Sequence, residues 1–338
     1  MPGLRILVRL DPLLARSLVA AFILLVAVRI VLERPDNPFR PSGDTWAYAA
    51  AGERLNAGHD LYALAPDDRR VDLEPPFWTI PLVSPPPVAV LWRPLAALGS
   101  PAWVVWWLGG LISCLALAGA ILVRGAPSAV LGLTVLSPAL TQAAISGNAN
   151  AYLIPLIFLA WQLRDRAWLV GLILATAAAI KLSPILLLLW LLRARRLSAI
   201  WAALLIGVAI LLVATLGAGV PSWVEWLAAA PSDAPAPSSL AGLTGLSTAL
   251  SAIVVSAICG AILLFTRSER LWFAMCVGAA VFASPALYVA TFAMLVAALS
   301  PLVGSGGATM PTGGSRSRSA ASRVMNMYSR SRGVARTE

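Results

Sequence analysis

Through most of the chain apolar residues follow one another without the two-residue alternation of a half-buried strand. They form blocks at about 14–32, 102–123, 127–145, 149–163, 167–182, 184–192, 198–217, 247–266, 271–283 and 286–303. Blocks near the ~20 residues that cross a ~30 Å hydrocarbon layer predict membrane-spanning helices rather than barrel strands. The blocks 184–192 and 271–283 fall short of that length, and 167–182 nearly does. Short helices ending in Lys, Ser-Pro or Asn predict a cavity near one membrane surface rather than lipid on every side. The stretch 86–98, PPVAVLWRPLAAL, is read as dipping into the membrane without crossing it.

The longest polar interruption is 33–86, and within it PSGDTWAYAAAGERLNAGHDLYA has a helix-compatible pattern. Asp44 opens a run in which Trp46, Tyr48 and Leu55 are interleaved with alanines, and Asp44 and Tyr48, four apart, share a helix face. Two roles fit Asp44. It caps the helix, with Gly58 ending it. Alternatively, a short amphipathic helix lies along the outer membrane surface and holds a partly desolvated carboxylate over a cavity mouth, where it takes a proton from an attacking hydroxyl.

Composition strengthens the membrane reading: 59% of the 338 residues are hydrophobic and 12% charged, more apolar surface than a soluble fold can hide. The net charge of +10 would suit a nucleic-acid binder, but the basic residues sit in short clusters between apolar blocks and in the last stretch of chain, which is a pattern of membrane orientation. No nucleic-acid partner is expected. Arg5 and Arg9 precede the first block and place the N-terminus in the cytoplasm; without a small-x-small cleavage site that block is read as an uncleaved span. The 33–86 segment holds nine of the fifteen carboxylates against five arginines, as suits an outer loop. Strict alternation then puts Arg124, Arg164, Arg166, Arg193, Arg195, Arg196, Arg267 and Arg270 inside. It puts 33–86, SGNAN (146–150), KLSP (181–184), 218–246 and SPALY (284–288) outside.

These features describe an all-α polytopic protein of the cell membrane with about ten spans. Its membrane domain covers 1–303, and a Gly/Ser/Arg-rich tail, 304–338, is read as disordered, cytoplasmic and attracted to anionic lipid headgroups. Cys114, Cys259 and Cys276 lie within apolar blocks and are read as packing residues. No P-loop, Cys/His metal spacing, nucleophile elbow or dinucleotide glycine pattern occurs, so no metal site and no cofactor are expected.

The remaining polar residues are few. Lys181, the single lysine, stands in TAAAIKLSPILLLL, where an ammonium is costly unless it is paired or reaches an interface. It either snorkels to the outer headgroups or holds a lipid-phosphate head. Arg93 faces the same choice from a segment that can lie at the interface. Asn148 and Asn150 cap helix ends or bond sugar hydroxyls. His59, the only histidine, falls in the turn GHDLY and is read as solvated loop.

Taken in order, GDTWAYAAAGERLNAGHDLY, SPPPVAVLWRPLAAL, SGNANAYLIPLIFLA, AAAIKLSPILLLLWLL and SSLAGLTGL resemble glycosyltransferase family 87, the polyprenol-phosphate-mannose-dependent α-1,2-mannosyltransferases of the GT-C superfamily. The resemblance implies a GT-C-like bundle with an outer-face amphipathic-helix loop. It also implies transfer of a hexose, typically mannose, from a polyprenyl phosphate donor to a lipid or glycan acceptor on the outer face, with inversion. Asp44 would be the general base and Lys181 would lie near the donor phosphate. Tyr48, Tyr62, Arg93, Asn148, Asn150, Ser239 and Tyr288 fall on or beside the matching motifs as substrate-binding candidates. Asn148 stands where the family commonly has glutamine, and Tyr288 where it has Trp with a histidine following. A transporter or lipid flippase would also use a buried lysine and short helices but does not need the long acidic loop, and internal repeats are not evident. A non-catalytic scaffold would leave Asp44 replaceable.

Overall fold

The computed structural model describes residues 43–62, 82, 84–229, 239–285 and 287–304, together with scattered positions of the first block between 16 and 28. The tail 305–338 and the acidic stretch 63–81 lie outside the described residues. Among the described residues there are no strands, only an isolated bridge between Gly125 and Val303.

The helices are α1 (Gly43–Ala57), α2 (Pro86–Ala97), α3 (Ser100–Arg124), α4 (Pro127–Ile145), α5 (Asn150–Gln162) and α6 (Ala167–Ile180). A 3-10 turn, Ser183–Leu186, leads into α7 (Leu187–Arg193), and then come α8 (Leu197–Ala229), α9 (Leu240–Thr244), α10 (Thr248–Phe265) and α11 (Glu269–Phe282). α12 (Val289–Phe292) continues into a 3-10 helix, Ala293–Leu302. Proline in the first turn starts α2, α3 and α4, where its missing N–H costs nothing. Among the described residues four helices are long and apolar enough to cross a membrane: Val104–Arg124, Pro127–Ile145, Leu197–Ala228 and Thr248–Phe265. α2 has 12 residues, about 18 Å of helix, and by length does not cross.

The arginine-bearing junctions meet at one end of the bundle. Arg196 donates from Nη1 to Asp165 Oδ1 at 3.1 Å and from Nε to Glu269 Oε1 at 3.0 Å, and Arg193 Nε donates to the Leu263 carbonyl at 3.0 Å. The amide of Ala126 donates to Leu302 at 2.9 Å and that of Gly304 to Arg124 at 3.2 Å, while Arg16 donates to the Val123 carbonyl at 3.0 Å. Gln162, donating to Ser300 at 2.9 Å, joins the two groups. Because α6 leaves this end at Arg166 and α7 returns to it at Arg193, the intervening KLSP turn lies at the other end. α6 has 14 residues, about 21 Å. That is less than the ~30 Å a straight helix needs to cross a hydrocarbon layer.

Two boundaries differ from the pattern-based reading. The block 198–217 does not give way to a loop at 218: α8 kinks at Gly219 (φ 81°, ψ 160°) and resumes as helix to Ala229. Glycine supplies the positive φ, and Pro221 tolerates the break because a residue just past it has no upstream carbonyl to lose. The 286–303 block is a short α-helix followed by 3-10 helix rather than one regular span.

α6 packs closely against α8. A Cβ on Gly171 would stand 2.5 Å from the Ala202 Cβ and 2.7 Å from the Ala203 nitrogen, so only glycine allows this approach. The three cysteines are free and buried, with the Cys259 and Cys276 sulfurs 3.9 Å apart. Gly171→Ala is expected to cost about 1–3 kcal/mol and lower the melting temperature of the detergent-solubilised protein. Gly260→Ala, on α10 with nothing within 4 Å of the added Cβ, should leave it equal or higher.

Candidate active site

Helix α1 begins at Gly43 and puts Asp44 in its first turn, where a carboxylate also favours the positive end of the helix dipole. Alanines carry the helix on, and Gly58 (φ 73°) ends it: His59 N–H bonds the Arg54 carbonyl at 2.9 Å and Gly58 N–H the Leu55 carbonyl at 3.4 Å. His59 is exposed beyond this cap. The expected one-sided amphipathic helix is not what forms. Thr45, Ala47, Tyr48, Ala49, Ala51 and Arg54 are all buried. The cause is α2: with no side chain at Gly52, the Trp92 carbonyl comes to 2.7 Å from where a Cβ would be, and α1 packs into the protein rather than onto lipid.

Opposite α1 is the α4–α5 turn, SGNAN. Gly147 adopts φ 63° and turns its carbonyl to two donors, Trp106 Nε1 at 2.8 Å and Thr45 Oγ1 at 3.3 Å. Trp107 Nε1 holds the Ile145 carbonyl at 3.0 Å. Asn148 is oriented by its own oxygen, which accepts the Asn150 backbone N–H at 2.7 Å in an Asx turn. Its amide group therefore faces α1, where Nδ2 donates to Asp44 Oδ2 at 2.7 Å. Asn150 Nδ2 in turn donates to the Ala290 carbonyl at 3.2 Å, attaching the start of α12.

Burial in apolar surroundings raises the Asp44 carboxyl above its ordinary value, against the opposing pull of the Asn148 hydrogen bond and the positive charge of Lys181. The structure thus brings Asp44, Asn148 and Lys181 into one electrostatic neighbourhood, with Asn150 behind Asn148. Tyr48 joins them. Burial pushes its hydroxyl up, the Asp44 charge adds to that, and hydrogen bonds with the Ala149 backbone and the Ser84 side chain work the other way. Its ring lies 6.2 Å from Trp92 and 6.1 Å from Trp106, centroid to centroid, so it forms part of an aromatic wall.

The remaining candidates have other partners or surroundings. Arg93 donates from Nε to Asn56 Oδ1 at 3.1 Å and from Nη1 to the Gly217 carbonyl at 2.9 Å. Asn56 is twelve residues along α1 from Asp44, about 18 Å. Tyr62 donates to the Ser84 carbonyl at 2.8 Å. Ser239 is buried and caps α9, accepting the Gly242 N–H at 2.9 Å. Tyr288 is 64% exposed just ahead of α12.

Residues that pattern reading passed over complete the surroundings. Thr45 and Trp106 fix the turn, Ser84 links Tyr48 to Tyr62, and the buried Ser183 hydroxyl, two residues after Lys181, has no hydrogen-bond partner. Ser183 had a signal of its own: it follows the single lysine and precedes a proline.

An all-helical bundle with membrane-length apolar helices and a buried polar cluster at one end defines the class. Within it, residues 83–240, just under half of the chain, match the model of Glycosyltransferase family 87, the family that the motifs resemble; a domain of that family implies a membrane glycosyltransferase. The match includes Arg93, Asn148, Asn150, Lys181 and Ser239, whereas Asp44, Tyr48, Tyr62 and Tyr288 lie outside it. No curated protein and no solved structure matches the chain.

A carboxyl whose folded value is raised above 3.8 stabilises the fold only while protonated: the contribution is full below that value and is lost as pH rises through the raised one. The neutral isostere Asp44→Asn should therefore match or exceed wild-type stability near neutral pH, with its advantage fading below about pH 4. Thermal unfolding in detergent across that range checks it. A variant less stable at neutral pH than at acid pH, relative to wild type, would assign Asp44 a structural ion-pair role.

Proposed function

We propose that the protein transfers a hexose, with mannose the expected sugar, from a polyprenyl phosphate to a lipid or glycan acceptor on the outer membrane face, using Asp44 as general base. The observation that carries this reading is the half-buried Asp44 carboxylate, oriented by Asn148 and near the charge of Lys181. In the reaction the acceptor oxygen attacks the anomeric carbon as the bond from that carbon to the phosphate oxygen breaks. The acceptor's proton passes to Asp44 and the electron pair leaves with the polyprenyl phosphate. Attack from the face opposite the leaving group inverts the anomeric centre.

Each local feature suits one part of this chemistry. A carboxyl raised by burial is a stronger base than a solvated one, and the Asn148 hydrogen bond keeps one oxygen engaged while the other is available to a hydroxyl. Lys181, with the Ser183 hydroxyl on the same turn, suits the charge that collects on the departing phosphate. The short helices α6 and α7 suit a turn within the bilayer depth, where a lipid-borne phosphate arrives laterally. The arginine junctions, which gather at the opposite end of the bundle, support outward placement of the site.

The test is purified protein in detergent with radiolabelled polyprenyl-phosphate mannose and candidate lipid or glycan acceptors. Asp44→Asn should lower kcat by about 10²–10⁴-fold, and Lys181→Met should raise the donor KM. Since the base must be ionised, activity should fall as pH drops through the raised Asp44 value, and Asn148→Leu should move that acid limb to higher pH. Transfer that survives Asp44→Asn rejects the base assignment. Absence of transfer with any polyprenyl-phosphate sugar favours a transporter or flippase.

A further inference from the structure

Beyond the kink of α8 lies a carboxylate that the chemistry above does not use. From Leu197 to Gly217 the helix rises about 30 Å from the arginine end, enough to cross the hydrocarbon layer. The residues after Gly219 therefore lie at the opposite membrane surface, the end that holds Asp44. Trp223 and Trp226, edge to face at 6.2 Å, suit that depth, as amphipathic indoles do. Between them is Glu225.

Glu225 Oε2 is sealed from solvent and accepts no hydrogen bond, although Arg93 is engaged near the same kink through the Gly217 carbonyl. A buried carboxylate oxygen without a donor is costly and calls for an occupant. Other described carboxylates have donors: Asp44 has Asn148, and Asp165 and Glu269 have Arg196. Burial pushes the Tyr62 hydroxyl up, and the charge of nearby Glu225 adds to that. Tyr62 is fixed on the Ser84 carbonyl at 2.8 Å, and the Ser84 side chain bonds Tyr48, one helical turn from Asp44. Tyr62 and Ser84 thus connect the surroundings of the second carboxylate with those of the first.

We propose that Glu225 binds hydroxyl groups of the sugar acceptor, forming with Tyr62 a polyol subsite above Asp44. The proposal rests on the glycosyl-transfer reading for its placement. The chemistry is that of a carboxylate accepting charge-assisted hydrogen bonds from hydroxyls, while the Tyr62 ring offers an apolar face to a sugar's C–H side. An acceptor reaching Asp44 from the membrane surface would pass this point. Lys181 and Ser183, deeper on the KLSP turn, would meet the donor instead, so donor and acceptor recognition are divided between two depths.

The test uses full-length protein in phospholipid nanodiscs, free of glycosidic detergent, titrated calorimetrically with octyl α-mannoside as the acceptor probe. Saturable binding by wild type, weakened about tenfold or more in Glu225→Gln and less in Glu225→Asp, is the expected result. The unfolding temperatures of both variants are measured alongside, so that lost binding in a folded variant is not confused with misfolding. In the transfer assay Glu225→Gln should raise the acceptor KM by about tenfold with the donor KM unchanged. No saturable binding by wild type, or equal binding by a folded Glu225→Gln, overturns the subsite. If Glu225-dependent binding occurs without any transfer, the subsite stands and the glycosyl-transfer reading fails. If transfer occurs with an unchanged acceptor KM, the reverse holds.

Discussion

The hydrogen bond from Asn148 to Asp44 is the contact on which the polar end of this protein depends. A carboxylate held among buried alanines and aromatic rings is unfavourable without a donor, and the donor must come from another element because α1 supplies none at that point. The α4–α5 turn provides it only in one conformation. Gly147 takes a positive φ, its carbonyl is held by Trp106 and Thr45, and the Asn150 amide binds the oxygen of Asn148 so that its nitrogen faces α1. One charged group thereby recruits three helices and a turn.

The second constraint is helix length in a layer of fixed thickness. α6 and α7, with 14 and 7 residues, are each shorter than a straight helix across a ~30 Å hydrocarbon layer, and the turn between them carries Lys181 and Ser183. Unpaired charges are not tolerated against lipid, and Lys181 lies close enough to Asp44 for charges of opposite sign partly to offset each other's burial. At the other end, arginines bond carbonyls and carboxylates across helix junctions and give the bundle a fixed polar base. Between the two, Gly171 lets α6 and α8 approach closely, which sets where the KLSP turn comes to rest.

Much of this was legible along the chain. Asp44, Asn148 and Lys181 stood out because polar residues in apolar surroundings are rare and expensive, and the structure places them together. The end of α1 at Gly58 was legible because only a residue free to take positive φ closes a helix that way. Other features were not. α1 has small residues on several faces, a pattern that reads as a surface helix when its neighbour is unknown; only the closeness of α2 at Gly52 buries it. Arg93 looked like a ligand for an anion, but its donors meet Asn56 and Gly217, contacts 37 and 124 residues away in sequence. The helix after Gly219 was hidden because glycine and proline together signal a loop, although a kink with the helix resumed serves as well.

By itself the sequence determined the class of fold, the two polarities of the bundle and the identity of its chemically unusual residues, since each follows from local composition, block length and the free-energy cost of charge in hydrocarbon. The tertiary structure alone decided which of those residues meet. Asp44 and Asn148 are 104 positions apart, and no pattern of nearest neighbours records that their amide and carboxylate are one hydrogen bond from each other. Whether a polar side chain is spent on the fold, as in Arg93, or left without a partner, as in Ser183 and Glu225, depends on groups brought close by packing, because burial and hydrogen bonding are properties of the three-dimensional neighbourhood and not of the chain.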